Sequence, residues 1–303
     1  MTSPGRTIRI ATRGSRLARW QAERVGTQLG GDVDYVLVET QGDADQTSEI
    51  HRIGGQGVFV KEVQQAVLDG RADLAVHSAK DLPALTAPGL VLATIPERAD
   101  PRDALVGAAL DALPAGARVG TGSVRRRAQL AHARPDLQFG PLRGNIETRL
   151  RKRAEEGYAA VVVARAALTR LGLEAEIAEV LEPTVLLPQV GQGALAVECR
   201  DGDDATLARL LAIDDDAAHR EVTAERAFLA ELGGACDLPC GALATTSGDT
   251  LTIDVLLASL DGRTIARAQR AGSDPAALGL AAARELLDER GGRALLAAEG
   301  LPS

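Results

Sequence analysis

Alternation of period two opens the chain: Thr7-Ile8-Arg9-Ile10-Ala11-Thr12 sends every second side chain to one face, as a strand does. The apolar spacing then becomes that of an amphipathic helix over residues 17–29, with Ser15 just ahead of it. A strand over 33–40, a glycine turn at Gly54-Gly55-Gln56-Gly57, a helix over 58–68 and short apolar strands over 72–77 and 90–95 follow. Strands alternating with helices in this way predict a mostly parallel sheet in an α/β domain.

Pro96-Glu97-Arg98-Ala99-Asp100-Pro101 interrupts the pattern and marks a crossing to a second α/β series. That series reads as strands 104–106 and 118–119, helix 124–133, strand 137–139, helix 146–156 and strand 159–163. The loop Leu186-Leu187-Pro188-Gln189-Val190-Gly191-Gln192-Gly193 leads into a strand over 194–199. Two similar lobes joined by paired crossings would bring strand C-termini to a common cleft. From about Ala218 the pattern changes again. A helix over 221–232 precedes alternating runs at 242–245, 251–257 and 264–270, broken by Ser247-Gly248-Asp249 and Asp261-Gly262. These predict an antiparallel meander, closed by a helix over 276–288. The expected division is a first α/β domain from 1–97 with 194–214, a second over 98–193, and a smaller α+β domain over 215–303.

At 303 residues the chain is long for a single core. No run approaches the ~20 apolar residues of a membrane span. Residues 1–6 lead straight into the first strand without an apolar signal-peptide segment, so a cytoplasmic location is expected. A net charge of −8 argues against general nucleic-acid binding. Three cysteines, Cys199, Cys236 and Cys240, are too few for a disulfide framework. The cations are lopsided: Lys61, Lys80 and Lys152 stand against 31 arginines, the residue better suited to planar carboxylates.

Gly120-Thr121-Gly122-Ser123-Val124-Arg125-Arg126-Arg127 joins a glycine-rich turn to a helix capped by Ser123, with three arginines on its first turn. Cations there oppose the helix dipole. They make sense as ligands for an anion over the turn, held by backbone N–H groups and guanidinium forks. The alternative is three arginines fanned into water. On the anion reading Arg125 and Arg126 serve a ligand rather than the fold, and leucine at either would spare the stability of the unliganded protein.

Arg13 and Ser15 lie where the first strand meets its helix, and Ser78-Ala79-Lys80-Asp81 follows strand 72–77 at the ligand end of such a sheet. Taken alone, Lys80 and Asp81 fit a solvated loop pair. Arg13, Lys80, Arg125, Arg126, Arg143 and Arg149 all fall at strand ends, however, which makes Asp81 the acidic member of a basic site. Nearby cations favour its ionised form, suited to stabilising a transient cation or exchanging a proton. Cys236 admits three readings, in this order from spacing: a buried structural thiol, a metal or disulfide pair with Cys240 at a spacing unlike the common zinc half-site, and a point of covalent attachment. Cys199 reads as core. His51, His77, His132 and His219 make no metal-binding spacing, so no metal is expected, and His77 reads as structural. Phosphate-loop, dinucleotide and serine-hydrolase motifs are missing from the sequence.

Eight segments, in order, resemble the porphobilinogen deaminase (hydroxymethylbilane synthase) family. They are Arg9-Ile10-Ala11-Thr12-Arg13, Gly57-Val58-Phe59-Val60-Lys61-Glu62, residues 72–83, Asp100-Pro101-Arg102-Asp103-Ala104, residues 119–126, Leu142-Arg143-Gly144-Asn145, residues 187–194, and Thr223-Ala224-Glu225-Arg226. The resemblance implies two periplasmic-binding-protein-like α/β domains plus a smaller α+β C-terminal domain with an antiparallel sheet. It implies a transferase that condenses four porphobilinogen molecules head-to-tail into hydroxymethylbilane, releasing ammonia at each step. It also implies a dipyrromethane cofactor held by a thioether to Cys236, which reverses the order of readings just given for that residue.

By position, the resemblance assigns Lys80, Ser123, Arg125, Arg126 and Gln192 to the cofactor, and Arg13, Ser15, Arg143, Arg149 and Arg170 to substrate carboxylates. Asp81 takes the place of the catalytic aspartate. A monomer is implied, with neither nucleic acid nor membrane as partner, its product passing to uroporphyrinogen-III synthase. Two departures stand out: the family often has lysine at Gln56 and serine at Gly122. Cys240 has no assigned role. The rival reading is a two-lobed carboxylate-binding protein without catalysis; a ligand-sensing regulator is weaker, since no DNA-binding segment is recognisable.

Overall fold

A computed structural model describes residues 6–44, 57, 59–233 and 238–300. The chain forms β1 (Ile8–Arg13), α1 (Arg16–Leu29), β2 (Val33–Val38), a single helical turn at Gln41–Ala44, α2 (Lys61–Leu68), β3 (Leu74–Ser78) and β4 (Leu90–Thr94). It continues through β5 (Asp103–Val106), β6 (Arg118–Gly120), α3 (Val124–Ala133), β7 (Gln138–Gly140), α4 (Ile146–Glu155), β8 (Ala160–Ala164), α5 (Arg165–Leu171) and β9 (Ile177–Leu181). Then come β10 (Leu195–Arg200), α6 (Asp204–Leu211), α7 (Asp216–Glu231), β11 (Cys240–Ser247), β12 (Thr250–Ala258), β13 (Ile265–Gly272), α8 (Pro275–Arg284) and α9 (Gly292–Ala298).

Two compact units result: Met1–Arg98 with Ala194–His219, and Ala99–Gly193 with Arg220–Ser303. The first holds a five-stranded sheet in the order β2-β1-β3-β10-β4. β1 runs parallel to both β2 and β3, whereas β10 runs antiparallel to β3 and β4. The second unit repeats this plan as β7-β6-β8-β5-β9, with β5 the antiparallel member. Each reversed strand lies beside a crossing: β5 follows the outgoing segment and β10 follows the returning one. Mostly parallel sheets were the expectation, and the single reversed strand in each is what the crossings add. The second unit also carries the expected three-stranded meander, β11-β12-β13, antiparallel throughout.

Local chemistry explains the elements. Ser15, Ser123, Asn145, Asp203 and Asp274 each cap a helix, the side-chain oxygen accepting a backbone N–H from the first turn. Helix α5 ends at Gly172, in the left-handed conformation at φ 69°, which a Cβ would disfavour. Both faces of the first sheet are covered: Ile8, Ile10, Leu74 and Val76 pack with Ala22 and Val25 of α1, while Ala11 and Ala75 pack with Val63 and Val67 of α2. That double cover is why β3 reads as a continuous apolar run rather than an alternating one. Helix α3 matches its expected bounds of 124–133. Helices α5, α6 and α9 and strand β9 were not anticipated, because their short, alanine-rich or half-exposed segments carry little periodicity.

Candidate functional site

The parallel strands of a sheet end at one edge, and the sequence-predicted residues collect there in each unit. In the first unit β1 and β3 are neighbours, so Arg13 at the end of β1 and the turn Ala79–Asp81 after β3 share an edge. The Arg13 guanidinium stacks on the Phe59 ring at 4.2 Å. Ser15 accepts the Ala18 N–H at 3.3 Å, so its hydroxyl caps α1. The turn that carries Lys80 and Asp81 is anchored by the Ala79 N–H, which donates to the Ala194 carbonyl at 3.0 Å. Lys80 and Asp81 themselves are half-exposed. Among the described residues no ion pair engages the Asp81 carboxylate, so its charge remains available.

His77, next to this turn, is buried with its Nε2 3.2 Å from Glu198 Oε2. Glu198 also accepts Gln64 Nε2 at 2.8 Å. The pair braces the sheet from inside, which bears out the structural reading of His77.

In the second unit β6, β7 and β8 are parallel, and the reversed β5 brings its first residue, Asp103, to the edge where they end, opposite Ala164. Asp103 opens an otherwise apolar strand and is wholly buried. Its Oδ1 accepts Arg126 Nη2 at 2.7 Å and Nε at 3.1 Å, and its Oδ2 accepts Arg125 Nη2 at 2.7 Å. Gln192, also fully buried, donates Nε2 to Asp103 Oδ1 at 3.0 Å and to the Pro101 carbonyl at 2.6 Å. Arg125 Nη1 donates to the Leu187 carbonyl at 2.6 Å, and Arg126 Nη1 to the Val162 carbonyl at 3.1 Å. Gln129 completes the frame, taking the Leu187 N–H at 2.7 Å and returning its own amide N–H to that residue's carbonyl at 3.1 Å.

Neither Arg125 nor Arg126 therefore fans into water; they are 3% and 5% exposed. This corrects the expectation that they are dispensable to the fold. Removing one partner of a buried ion pair typically costs ~3 kcal/mol or more, because the other charge stays buried. Arg125→Leu and Arg126→Leu should each lower the thermal midpoint of the unliganded protein by several degrees, measurable by differential scanning calorimetry. An unchanged midpoint in both would restore the earlier view.

Burial alone would raise the Asp103 carboxyl, but the charges and hydrogen bonds of Arg125 and Arg126 outweigh it and hold it down to about 2. Burial likewise pulls Arg125 below its usual value, with Asp103 opposing that shift. A carboxylate lower in the folded than in the unfolded chain adds stability at neutral pH, and this is lost as pH falls through the folded value. The acid limb of stability between about pH 4 and pH 2 should therefore flatten in Asp103→Asn, by roughly 2 kcal/mol across the window. Thermal midpoints of the two proteins measured through that range, falling in parallel, would contradict this assignment.

The remaining predicted residues surround this frame. Ser123 accepts the Arg126 N–H at 3.4 Å, and its own N–H donates to Thr121 Oγ1 at 3.2 Å. Arg149 Nε donates to the Gly144 carbonyl at 2.8 Å, and Arg170 Nη2 to the Gly193 carbonyl at 2.7 Å. Gly122 is exposed, yet a Cβ there would stand 2.8 Å from the Leu142 carbonyl oxygen, so a serine would need the turn to shift. Among the described residues, Arg125 Nε and Arg143 Nη1 are guanidinium nitrogens buried without a hydrogen-bond partner. Such groups are rare in folded proteins and costly, and they are the donors a bound carboxylate would satisfy.

Cys199 is buried in β10, its thiol pushed up to about 11, chiefly by burial. Cys240 opens β11 and is also buried. Cys236 and Gln56 lie outside the described residues. The sequence reading missed Asp103, Gln129 and Glu225. Glu225 is fully buried in α7, where it accepts the Gly191 N–H at 2.7 Å and the Ala244 N–H at 2.8 Å, tying the 187–193 loop to β11. Asp103 and Glu225 each sit in a segment quoted above for its family likeness, which was the available signal.

Two five-stranded sheets of one strand order, each with a reversed strand beside a crossing, define a two-sheet α/β protein, here extended by an antiparallel meander. Family models match almost all of it: "Porphobilinogen deaminase, dipyromethane cofactor binding domain" over residues 8–208 and "Porphobilinogen deaminase, C-terminal domain" over residues 219–288. The chain belongs to the porphobilinogen deaminase family. It is 51% identical to the porphobilinogen deaminase of Roseiflexus castenholzii over 301 residues, covering 96% of this chain and 99% of that protein. It is 47% identical to that of Syntrophotalea carbinolica, covering 98% and 97%. Among solved structures, the periplasmic VFT2 domain of Bordetella pertussis BvgS aligns with 68% of this chain and 86% of its own at 16% identity, with a TM-score of 0.41.

The residues present fit the dipyrromethane that the family carries. That group bears acetate and propionate carboxylates, and the buried, unpartnered Arg125 Nε and Arg143 Nη1 are donors of the matching kind.

Proposed function

We propose that in this chain the family's reaction, head-to-tail condensation of four porphobilinogen molecules into hydroxymethylbilane with loss of ammonia at each step, is carried by Asp81, with arginines receiving the carboxylates of cofactor and substrate. The observation that carries this reading is that, among the described residues, Arg125 Nε and Arg143 Nη1 are buried without a hydrogen-bond partner. A protein tolerates such donors when a ligand anion completes them. When bound through Cys236, the dipyrromethane supplies a free pyrrole position as acceptor and carboxylates by which the growing chain is held.

Every other part belongs to the chain's own residues. Lys80, Ser123, Arg125, Arg126 and Gln192 hold or frame the cofactor. Arg13, Ser15, Arg143, Arg149 and Arg170 receive the carboxylates of substrate. Asp81 faces the cation left on porphobilinogen when ammonia departs: its fixed negative charge lowers the energy of that species, and its oxygens accept the pyrrole N–H. Support for Asp81 comes from its place at a strand end beside Lys80, with no ion pair among the described residues to neutralise it.

The non-catalytic carboxylate-binding alternative is disfavoured by the family membership. We further propose three domains, 1–97 with 194–214, 98–193 and 215–303; the three-stranded meander, a sheet of its own, supports a separate third domain. A cytoplasmic monomer handing product to uroporphyrinogen-III synthase completes the reading. No described helix is long and apolar enough to cross a membrane. Intact-protein mass spectrometry tests the whole: protein from a porphobilinogen-producing host should carry a two-pyrrole adduct, and an unmodified chain would count against it.

A further inference from the structure

We infer that Asp103 is a positioning residue for carboxylate binding: one buried charge that holds the Arg125 and Arg126 guanidiniums together while leaving one positive charge of the pair unbalanced for a ligand. The inference rests on the reading above that these arginines receive carboxylates.

The geometry is a three-sided clasp. Arg126 commits Nε and Nη2 to Asp103 Oδ1 and Nη1 to the Val162 carbonyl. Arg125 commits Nη2 to Asp103 Oδ2 and Nη1 to the Leu187 carbonyl, and its Nε is left open. Gln192 closes the third side with a neutral amide N–H on Oδ1. Two guanidiniums thus share one carboxylate, and their other described partners are uncharged carbonyls.

An unbalanced charge out of water is expensive. A free anion entering the clasp would relieve that cost and fill the open Nε. Without Asp103 the two guanidiniums would repel each other at close range, and neither would keep a fixed direction. The backbone frame supports the same role: Gln129 holds Leu187 by both its N–H and its carbonyl, so the acceptor for Arg125 Nη1 is fixed too. Arg126 braces and Arg125 receives; Asp103 sets the angle between them.

The test uses full-length protein purified from a porphobilinogen-producing host. Asp103→Asn keeps the shape and one acceptor but removes the charge. Primer occupancy is read by intact mass, and KM and kcat are measured well below the thermal midpoint. The expected result is a fall in occupancy, with KM for porphobilinogen raised about tenfold in the loaded fraction and kcat changed much less. A merely structural role would lower the midpoint alone, and parent-like occupancy and KM would overturn the inference.

If Asp103→Asn does not fold, Asp103→Gly with added formate replaces it, since formate supplies a carboxylate of the lost size. Recovery of primer loading with formate but not with chloride supports the positioning role. Equal recovery with both, recovery of folding without loading, or no recovery at all overturns it. Arg125→Gln separates the two layers of argument. Normal loading in Arg125→Gln sinks the carboxylate reading itself; impaired loading there with parent-like Asp103→Asn sinks only the role of Asp103.

Discussion

Asp81→Asn should bind porphobilinogen yet release ammonia about a hundredfold more slowly than the parent protein. The amide keeps nearly the same volume and one carbonyl acceptor, so the turn Ala79–Asp81, anchored through Ala79 and Ala194, should form as before. What it loses is negative charge. A cation develops on the substrate as ammonia leaves, and a preorganised carboxylate beside it is worth several kcal/mol to that transition state. Asp81→Glu keeps the charge but moves it by one methylene, and its rate should fall between the other two. The decisive measurement is single-turnover ammonia release from primer-loaded protein. Release from Asp81→Asn at the parent rate would reduce Asp81 to a residue that orders its turn. The contrast with Asp103 sharpens the expectation: that carboxylate is wholly committed to two guanidiniums, whereas Asp81 is half-exposed and outside every described ion pair.

Cys236→Ser should carry no primer and show almost no turnover. A thioether needs a thiolate nucleophile, and a neutral hydroxyl is far poorer at neutral pH. The mass of the purified variant should equal that of the bare chain, and an aldehyde reagent for pyrroles should give no pink colour. Normal adduct and normal turnover would exclude attachment at this residue. Cys240→Ser is the matched control and should keep its primer: Cys240 is buried at the start of β11, where a hydroxyl of similar size can be housed.

The caps show how far local chemistry reaches. Ser15 and Ser123 precede apolar spacing of period 3.6, and each accepts a first-turn N–H in the folded chain. The meander was equally legible, since its alternating runs are separated by turn-forming Ser-Gly-Asp and Asp-Gly. Asp100 and Arg102 stood in plain sight as neighbours, and the structure joins them at 2.7 Å. Their further partners Arg165 and Glu182 come from distant parts of the chain. Arg125 and Arg126 were found for the right residue type and the wrong environment. Three adjacent arginines on a helix start look solvent-directed unless one knows that a carboxylate 22 residues earlier lies beneath them.

The sequence by itself determined most of the elements and their order, the glycine turn with its capped helix, and the family, because periodicity, capping and motif order are local properties carried by short stretches of chain. Only the tertiary structure decided which cations are braced and which remain open. A guanidinium looks the same in sequence whether it meets water, a backbone carbonyl or a buried carboxylate. That choice was made when β5 entered its sheet reversed, carrying Asp103 to the edge where β6 and β8 end. There the cost of burying charge brought Arg125 and Arg126 onto one partner, and Arg125 Nε was left without one.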